Sequence, residues 1–277
     1  RGDAVGEIGG VRAGLALARW TIARYPHARA LWIAAGPGGN GGDGLHLAAE
    51  LAATGRRVTV SLLADPARLG ADAAEGLVRA RGAGVTLQES LDVPAWDLGV
   101  DALLGLGASR PAAGAIAEAV RRLNAASAPT LAVDLPTGLA SDTGALLGDE
   151  AVRADSTLAL LSLKPGLFTA SGRACCGDIA FDPLGVEPGA DDRPVARLYA
   201  PDDGPAHDRA TAHDAHKGRY GDVLIIGGGA GMLGAARLAA HAALGAGAGR
   251  TWVSLLDTAA EPGDTTRPEW LWTPQAW

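Results

Sequence analysis

Along the first 200 residues, short aliphatic or β-branched runs alternate with longer stretches of helical period, and this alternation constrains the fold more than any other feature. It is the pattern of a parallel sheet covered by helices on both faces. Strands are expected near Ala30–Ala35, Arg57–Ala64, Leu98–Leu104, Thr130–Asp134, Thr157–Leu163 and Asp178–Phe181. Helices are expected over Val11–Tyr25, Asp43–Thr54, Leu69–Arg81 and Ala112–Ala126. The second of these has Asp43 at its start and Gly55 just past its end, so both terminal signals are present. The fold class is therefore α/β, a Rossmann-like three-layer sandwich with a mostly parallel sheet. The segment Val186–Thr211, rich in Pro and Asp, reads as a linker. After it the strand–Gly–helix–strand pattern restarts, with strands at Val223–Ile226 and Thr251–Leu255. So short a second piece cannot cover both faces of a parallel sheet and is expected to be unstable alone.

Composition narrows the function. The 277 residues carry a net charge of −7, which argues against a polyanion-binding surface, and no nucleic-acid partner is expected. No apolar run reaches the roughly 18 residues of a membrane span, so a soluble, cytoplasmic protein is expected. The chain opens Arg-Gly-Asp-Ala rather than with Met, and an N-terminal piece is expected to be missing. The two cysteines, Cys175 and Cys176, are adjacent, which suits neither a structural disulfide nor a spaced metal site. The six histidines show no metal spacing.

Chemistry concentrates where predicted strands end. Gly36-Pro37-Gly38-Gly39-Asn40-Gly41-Gly42-Asp43-Gly44 follows the first strand and opens a helix. Read mechanically, Gly36, Gly38 and Gly41 satisfy the dinucleotide pattern G-x-G-x-x-G, in which phosphate sits on the helix start. Here Asp43 occupies that electropositive end and would repel a phosphate. Asp43 as a plain N-cap is the structural alternative. The density of glycines around one Asn and one Asp argues instead for a backbone that something approaches closely. Asp101 and Asp134 also end strands, in Asp101-Ala102-Leu103-Leu104-Gly105 and Val133-Asp134-Leu135-Pro136-Thr137-Gly138. Either could be solvated. In an open parallel sheet, however, the ligand crevice lies beyond the carboxyl ends of the strands, so Asp43, Asp101 and Asp134 are expected to face one crevice. Three carboxylates there need a cation or a shared proton. Asn40, Asp101 and Thr137 offer only oxygen, which suits a hard cation rather than zinc. Lys164, one of two lysines, is read as solvated or as a structural partner.

In this order and spacing, Gly36–Gly44, Val100–Gly105, Val133–Gly138 and Lys164–Gly166 closely resemble the YjeF-type N-terminal domain of the NAD(P)H-hydrate epimerases. The restart from His216-Lys217-Gly218-Arg219-Tyr220-Gly221 to Gly249 is similar to the opening of an ADP-dependent NAD(P)H-hydrate dehydratase domain, which is ribokinase-like. The resemblance implies an epimerase domain over residues 1–200, a linker over 201–212 and an incomplete dehydratase portion over 213–277. It implies a substrate of hydrated NADH or NADPH, bound by Gly39, Asn40, Gly41, Gly42 and Asp43, by the loop Gly105, Leu106, Gly107, Ala108, Ser109, Arg110 and Pro111, and by Asp134. It implies one potassium ion per epimerase site, held by Asn40, Asp101 and Thr137, a catalytic role for Asp134, and a homo-oligomer. ADP would serve only the dehydratase half, whose Gly-Thr-Gly-Asp motif is absent, so that activity is expected to be missing. Two departures stand out: Gly39 replaces the family Asn, and Thr137 replaces the family Ser while keeping its hydroxyl. A non-catalytic scaffold, as in RNA-decapping relatives, and an NAD-dependent oxidoreductase are the competing readings.

Overall fold

A computed structural model describes residues 3–189, 191–199, 216–257 and 268–273. The chain divides into two compact units, Arg1–Ala196 and Arg197–Trp277. All of the expected linker over 201–212 lies outside the described residues, as do 213–215 of the expected second domain.

The first unit runs α1 (Asp3–Arg24), β1 (Ala30–Ala35), α2 (Gly39–Ala53), β2 (Arg57–Leu62), α3 (Ala71–Gly82), β3 (Thr86–Gln88), β4 (Leu98–Ala102), α4 (Gly114–Ala125), β5 (Thr130–Val133), β6 (Ser156–Leu160), α5 (Gly172–Cys175) and β7 (Asp178–Asp182). All seven strands pair in parallel, in the order β3-β2-β1-β4-β5-β6-β7. Alternation along β1 builds the layers. Leu31, Ile33 and Ala35 join a core with Leu17 of α1, Leu45 and Leu51 of α2 and Leu77 of α3. Trp32 and Ala34 face the other way, onto Ala119, Val120 and Leu123 of α4. Being apolar on both faces, β1 is buried throughout, as a central strand must be. The order reverses direction between β1 and β4, so the loops after those two strands splay apart and leave a crevice.

Three expectations need correction. Four predicted strands run past the observed ends, because the chain leaves the ladder after Leu62, Ala102, Val133 and Leu160. The three-residue edge strand β3 was too short to carry a period. The third correction concerns α2, which starts at Gly39, not at Asp43. Gly38 occupies the cap position in extended conformation with no side-chain hydrogen bond, and Gly42 N–H bonds its carbonyl at 3.1 Å. Asp43 therefore lies in the second turn and is not an N-cap.

The second unit carries β8 (Asp222–Gly227), α6 (Leu233–Gly245), β9 (Arg250–Leu255) and β10 (Trp270–Trp272) in a parallel sheet of order β10-β9-β8. Ala236 and Ala240 of α6 pack on Val253 and Leu255. Val223, Leu224 and Ile226 of β8 stay exposed, as expected when one helix must cover a sheet. No helix among the described residues is long and apolar enough to cross a membrane.

Candidate active site

The crevice at the switch point is a cleft of about 1090 Å³. It is lined by Pro37, Gly38, Gly39, Asn40 and Asp43 after β1, by the continuous stretch Leu103–Ala113 after β4 together with Ile116, and by Asp134 after β5. The whole expected loop Gly105–Pro111 is on its wall. Gly41 and Gly42 are not. A Cβ at Gly41 would collide with the Gly36 carbonyl, and one at Gly42 would press on Ala73 of α3 at 3.0 Å. These glycines bring protein segments together. A Cβ at Gly38 or Gly39 would meet nothing within 4 Å, so these two are the part of the loop open to a ligand.

The three acids separate into two groups. Asp43 and Asp134 reach the cleft; Asp101 does not line it. Asp101 is fully buried behind it, accepting the Thr137 amide at 2.7 Å, the Thr137 hydroxyl at 2.7 Å and the Leu103 amide at 3.2 Å. Burial pushes its carboxyl up to about 6, against the pull of those donors. Neither Asp101 nor Asp134 is a solvated strand end. Thr137 in turn accepts the Leu104 amide at 3.0 Å, and its hydroxyl lies 3.3 Å from the Leu104 carbonyl. The Asn40 amide reaches that same carbonyl at 3.3 Å. Asn40 and Thr137 thus converge on the Leu104 carbonyl, and Asp101 joins them through Thr137. These three side chains can offer oxygen donors, and Asp101 has no cationic side chain among its bonded partners, which is donor chemistry of the kind that suits a hard cation. No group of three or more His, Cys, Asp or Glu with metal-binding geometry occurs among the described residues.

Asp134 is held in an unusual conformation. Its φ is +67°, and Leu135 N–H closes a tight turn onto the Val133 carbonyl at 2.7 Å. Such a backbone is costly for a non-glycine residue and persists only where its surroundings enforce it. Here Asp134 N–H bonds the Leu158 carbonyl at 2.9 Å, while Oδ1 accepts the Leu160 amide at 2.9 Å and an ion pair from Lys164 Nζ. Lys164 is buried and ion-paired, so of its two readings the structural partner holds and the solvated one does not, and it is the main residue at the site that sequence reasoning undervalued. Its place after β6, next to β5, was the available signal.

Among the described residues Asp43 has no such ion-pair partner. Burial, then the charges of Asp72 and Asp134, push its carboxyl up to about 8, with Lys164 opposing. Asp72, at the start of α3, is the other residue missed. It is tied in through His46 of α2. Arg79 lies 3.3 Å from His46 Nδ1 and can only donate, so Nε2 carries the proton and donates to the Asp72 carbonyl at 3.1 Å. The cleft therefore presents two carboxyl groups in unlike surroundings, one ion-paired and one inclined to keep its proton, which is an arrangement suited to acid–base work.

Residues 11–166 match the family described as YjeF-related protein N-terminus. The chain is 35% identical over 264 residues to the bifunctional NAD(P)H-hydrate repair enzyme Nnr of Escherichia coli (strain K12), covering 94% of this chain and 51% of that protein. It is 39% identical over 180 residues to the NAD(P)H-hydrate epimerase of Bordetella pertussis (strain Tohama I), covering 64% of this chain and 79% of the relative. It spans about half the length of the bifunctional relatives it matches. The crystal structure of yeast ynu0 superposes with a TM-score of 0.54 at 20% identity, over 62% of this chain and 76% of that one, which shows the shared fold.

Proposed function

The chain belongs to the family of YjeF-related protein N-termini, and from that premise we propose that its cleft interconverts the R and S forms of hydrated NADH and NADPH. The observation that carries this reading is the placement of Asp43 and Asp134 on one cleft at the switch point, with the oxygen cluster of Asn40, Thr137 and Asp101 behind it.

The substrate's ring carbon C6 bears a hydroxyl beside the ring nitrogen. The nitrogen lone pair can expel that hydroxyl as water, leaving an iminium-like cation, and water returning on the opposite face inverts the centre. The two cleft carboxyls, Asp43 and Asp134, are assigned to proton exchange with the departing and returning oxygen, and Asp134 takes the proton from the returning water. Its charge also stabilises the developing ring cation. Gly38 and Gly39 leave room for the nucleotide, and Gly105–Pro111 forms the opposite wall. Arg110 is the one cationic side chain on that lining and is the group assigned to the substrate's phosphates in this reading. A potassium ion would be held by Asn40, Asp101 and Thr137, and when bound it supplies positive charge that neutralises Asp101 and fixes the loops after β1, β4 and β5. ADP has no part in this reaction; it belongs with the second unit's resemblance.

The test is conversion of one separated epimer of hydrated NADH, followed by chromatography. The chain should bring it to the equilibrium mixture, and Asp134→Ala should abolish conversion while hydrogen exchange in β1 and β4 stays intact. An Asp134→Ala protein with unchanged rate would remove Asp134 from the chemistry.

A further inference from the structure

Lys164 has no role in the reaction as set out so far, yet the fold goes to unusual lengths to place it. Its residue is 5% exposed, and an ammonium buried this far is strongly destabilising unless well paired. It ion-pairs with Asp134 Oδ1 and donates to the Leu160 carbonyl at 2.7 Å. The Leu160 amide donates to the same Asp134 oxygen at 2.9 Å. One residue of β6 therefore grips both members of the pair. The next residue, Leu161, has φ of +64°, and Ser162 N–H turns back onto the Leu160 carbonyl at 2.7 Å. This repeats, on the neighbouring strand, the tight turn found at Asp134. Two adjacent strands thus end in strained turns whose joint result is the Asp134–Lys164 contact. Downstream, Gly166 N–H bonds the Ser141 carbonyl at 2.7 Å and a Cβ there would strike the Ala140 carbonyl, which pins the segment carrying Lys164.

We infer that Lys164 is a positioning residue for the epimerisation proposed above: with the Leu160 amide, its ion pair fixes the Asp134 carboxyl on the cleft that Asp43 also lines. The inference rests on that reading of the function. Its geometry is independent of it. The charged groups concerned are Lys164 after β6 and Asp43 on α2, which act on Asp134, and Asp72 on α3, Asp134 and Lys164, which act on Asp43. The carboxyl at Asp43, pushed up to about 8, is the one that carries a proton near neutrality.

The roles then divide. Asp43 gives its proton to the C6 hydroxyl; the C–O bond breaks with its electron pair leaving on water, and the nitrogen lone pair forms the C=N bond. Asp134 stays charged beside the cation. Water then adds to C6 from the other face, the C=N pair returns to nitrogen, and the surplus proton passes through Asp134 and solvent back to Asp43. Every group returns to its starting state.

The test compares the wild-type chain with Lys164→Met, Lys164→Gln and Lys164→Arg, in rate profiles from pH 5 to 10 and in carboxyl carbon NMR of labelled aspartate. In Lys164→Met the kcat should fall about 100-fold with KM changed less than about 3-fold, and the acidic limb should move up by at least about one pH unit, because Asp134 has lost its counter-charge. Lys164→Arg should restore the limb. Lys164→Gln keeps a donor without the charge and reads the same limb if the Met protein does not fold. Neutral variants whose limbs superimpose on the wild type after scaling would overturn the inference and leave Lys164 a packing residue. Should the wild-type chain not epimerise, the functional reading fails separately, and the NMR still decides this one. An Asp134 midpoint that rises in the neutral variants supports it, and an unmoved midpoint overturns it.

Discussion

Asp43→Asn removes a titration while nearly preserving shape, and its consequences follow from the surroundings of that one carboxyl. In the folded chain burial and the neighbouring Asp72 and Asp134 raise it from 3.8 to about 8. A carboxyl raised in the folded state binds a proton there that the unfolded chain has already released. Its contribution to stability is therefore complete below about pH 4 and is lost as pH rises to about 8. At about 1.4 kcal/mol per pH unit, four units amount to roughly 6 kcal/mol at most, and partial water access brings this to about 3–6 kcal/mol. The Asn amide stays neutral throughout. The variant should match the wild type to within about 1 kcal/mol at pH 4.5 and exceed it by about 3–6 kcal/mol at pH 9. Urea unfolding at the two pH values, read through amide exchange in β1 and β4, reports on the first unit alone. Parallel pH dependence in the two proteins would refute the claim that Asp43 is held protonated. In the epimer assay the same variant should lose at least about 100-fold in rate, because its amide has no carboxyl proton to give.

Two further outcomes follow. Thr137→Val removes the hydroxyl joining Asp101 to the Leu104 amide and should destabilise the first unit by about 1–3 kcal/mol, whereas Thr137→Ser should stay within about 1 kcal/mol; urea midpoints decide. Gly39→Asn places an amide where a Cβ meets nothing within 4 Å. It should lower KM about 3–10-fold, the worth of one net hydrogen bond, with kcat unchanged; a KM that rises would mean the open space at Gly39 is needed by the substrate itself.

What the sequence made legible, and what it hid, divides along physical lines. The period of the apolar runs fixed six of the seven strands and both helical layers, because β1 with its two apolar faces can sit only in the middle of a parallel sheet. The short edge strand β3 carries no period and was invisible. The loops after β1, β4 and β5 were found because Gly, Asn, Asp and Thr stand out against apolar runs. Their depth was not. Asp101 and Asp134 look alike in sequence, but three hydrogen-bond donors hold Asp101 behind the cleft, whereas a positive φ turns Asp134 toward it. Gly41 and Gly42 look like ligand glycines, yet neither lines the cleft and a Cβ at either would press on the Gly36 carbonyl or on Ala73. Lys164 and Asp72 act through space across separate elements, and spacing along the chain does not encode such pairs.

The central claim is that the C6 oxygen leaves as water and returns from the opposite face within this cleft. One separated epimer of hydrated NADH, incubated with the chain in water enriched in oxygen-18, tests both halves at once. The account predicts that the opposite epimer appears with its single C6 oxygen drawn from the solvent. An epimer mixture that never forms, or that forms with its original oxygen retained, would contradict it.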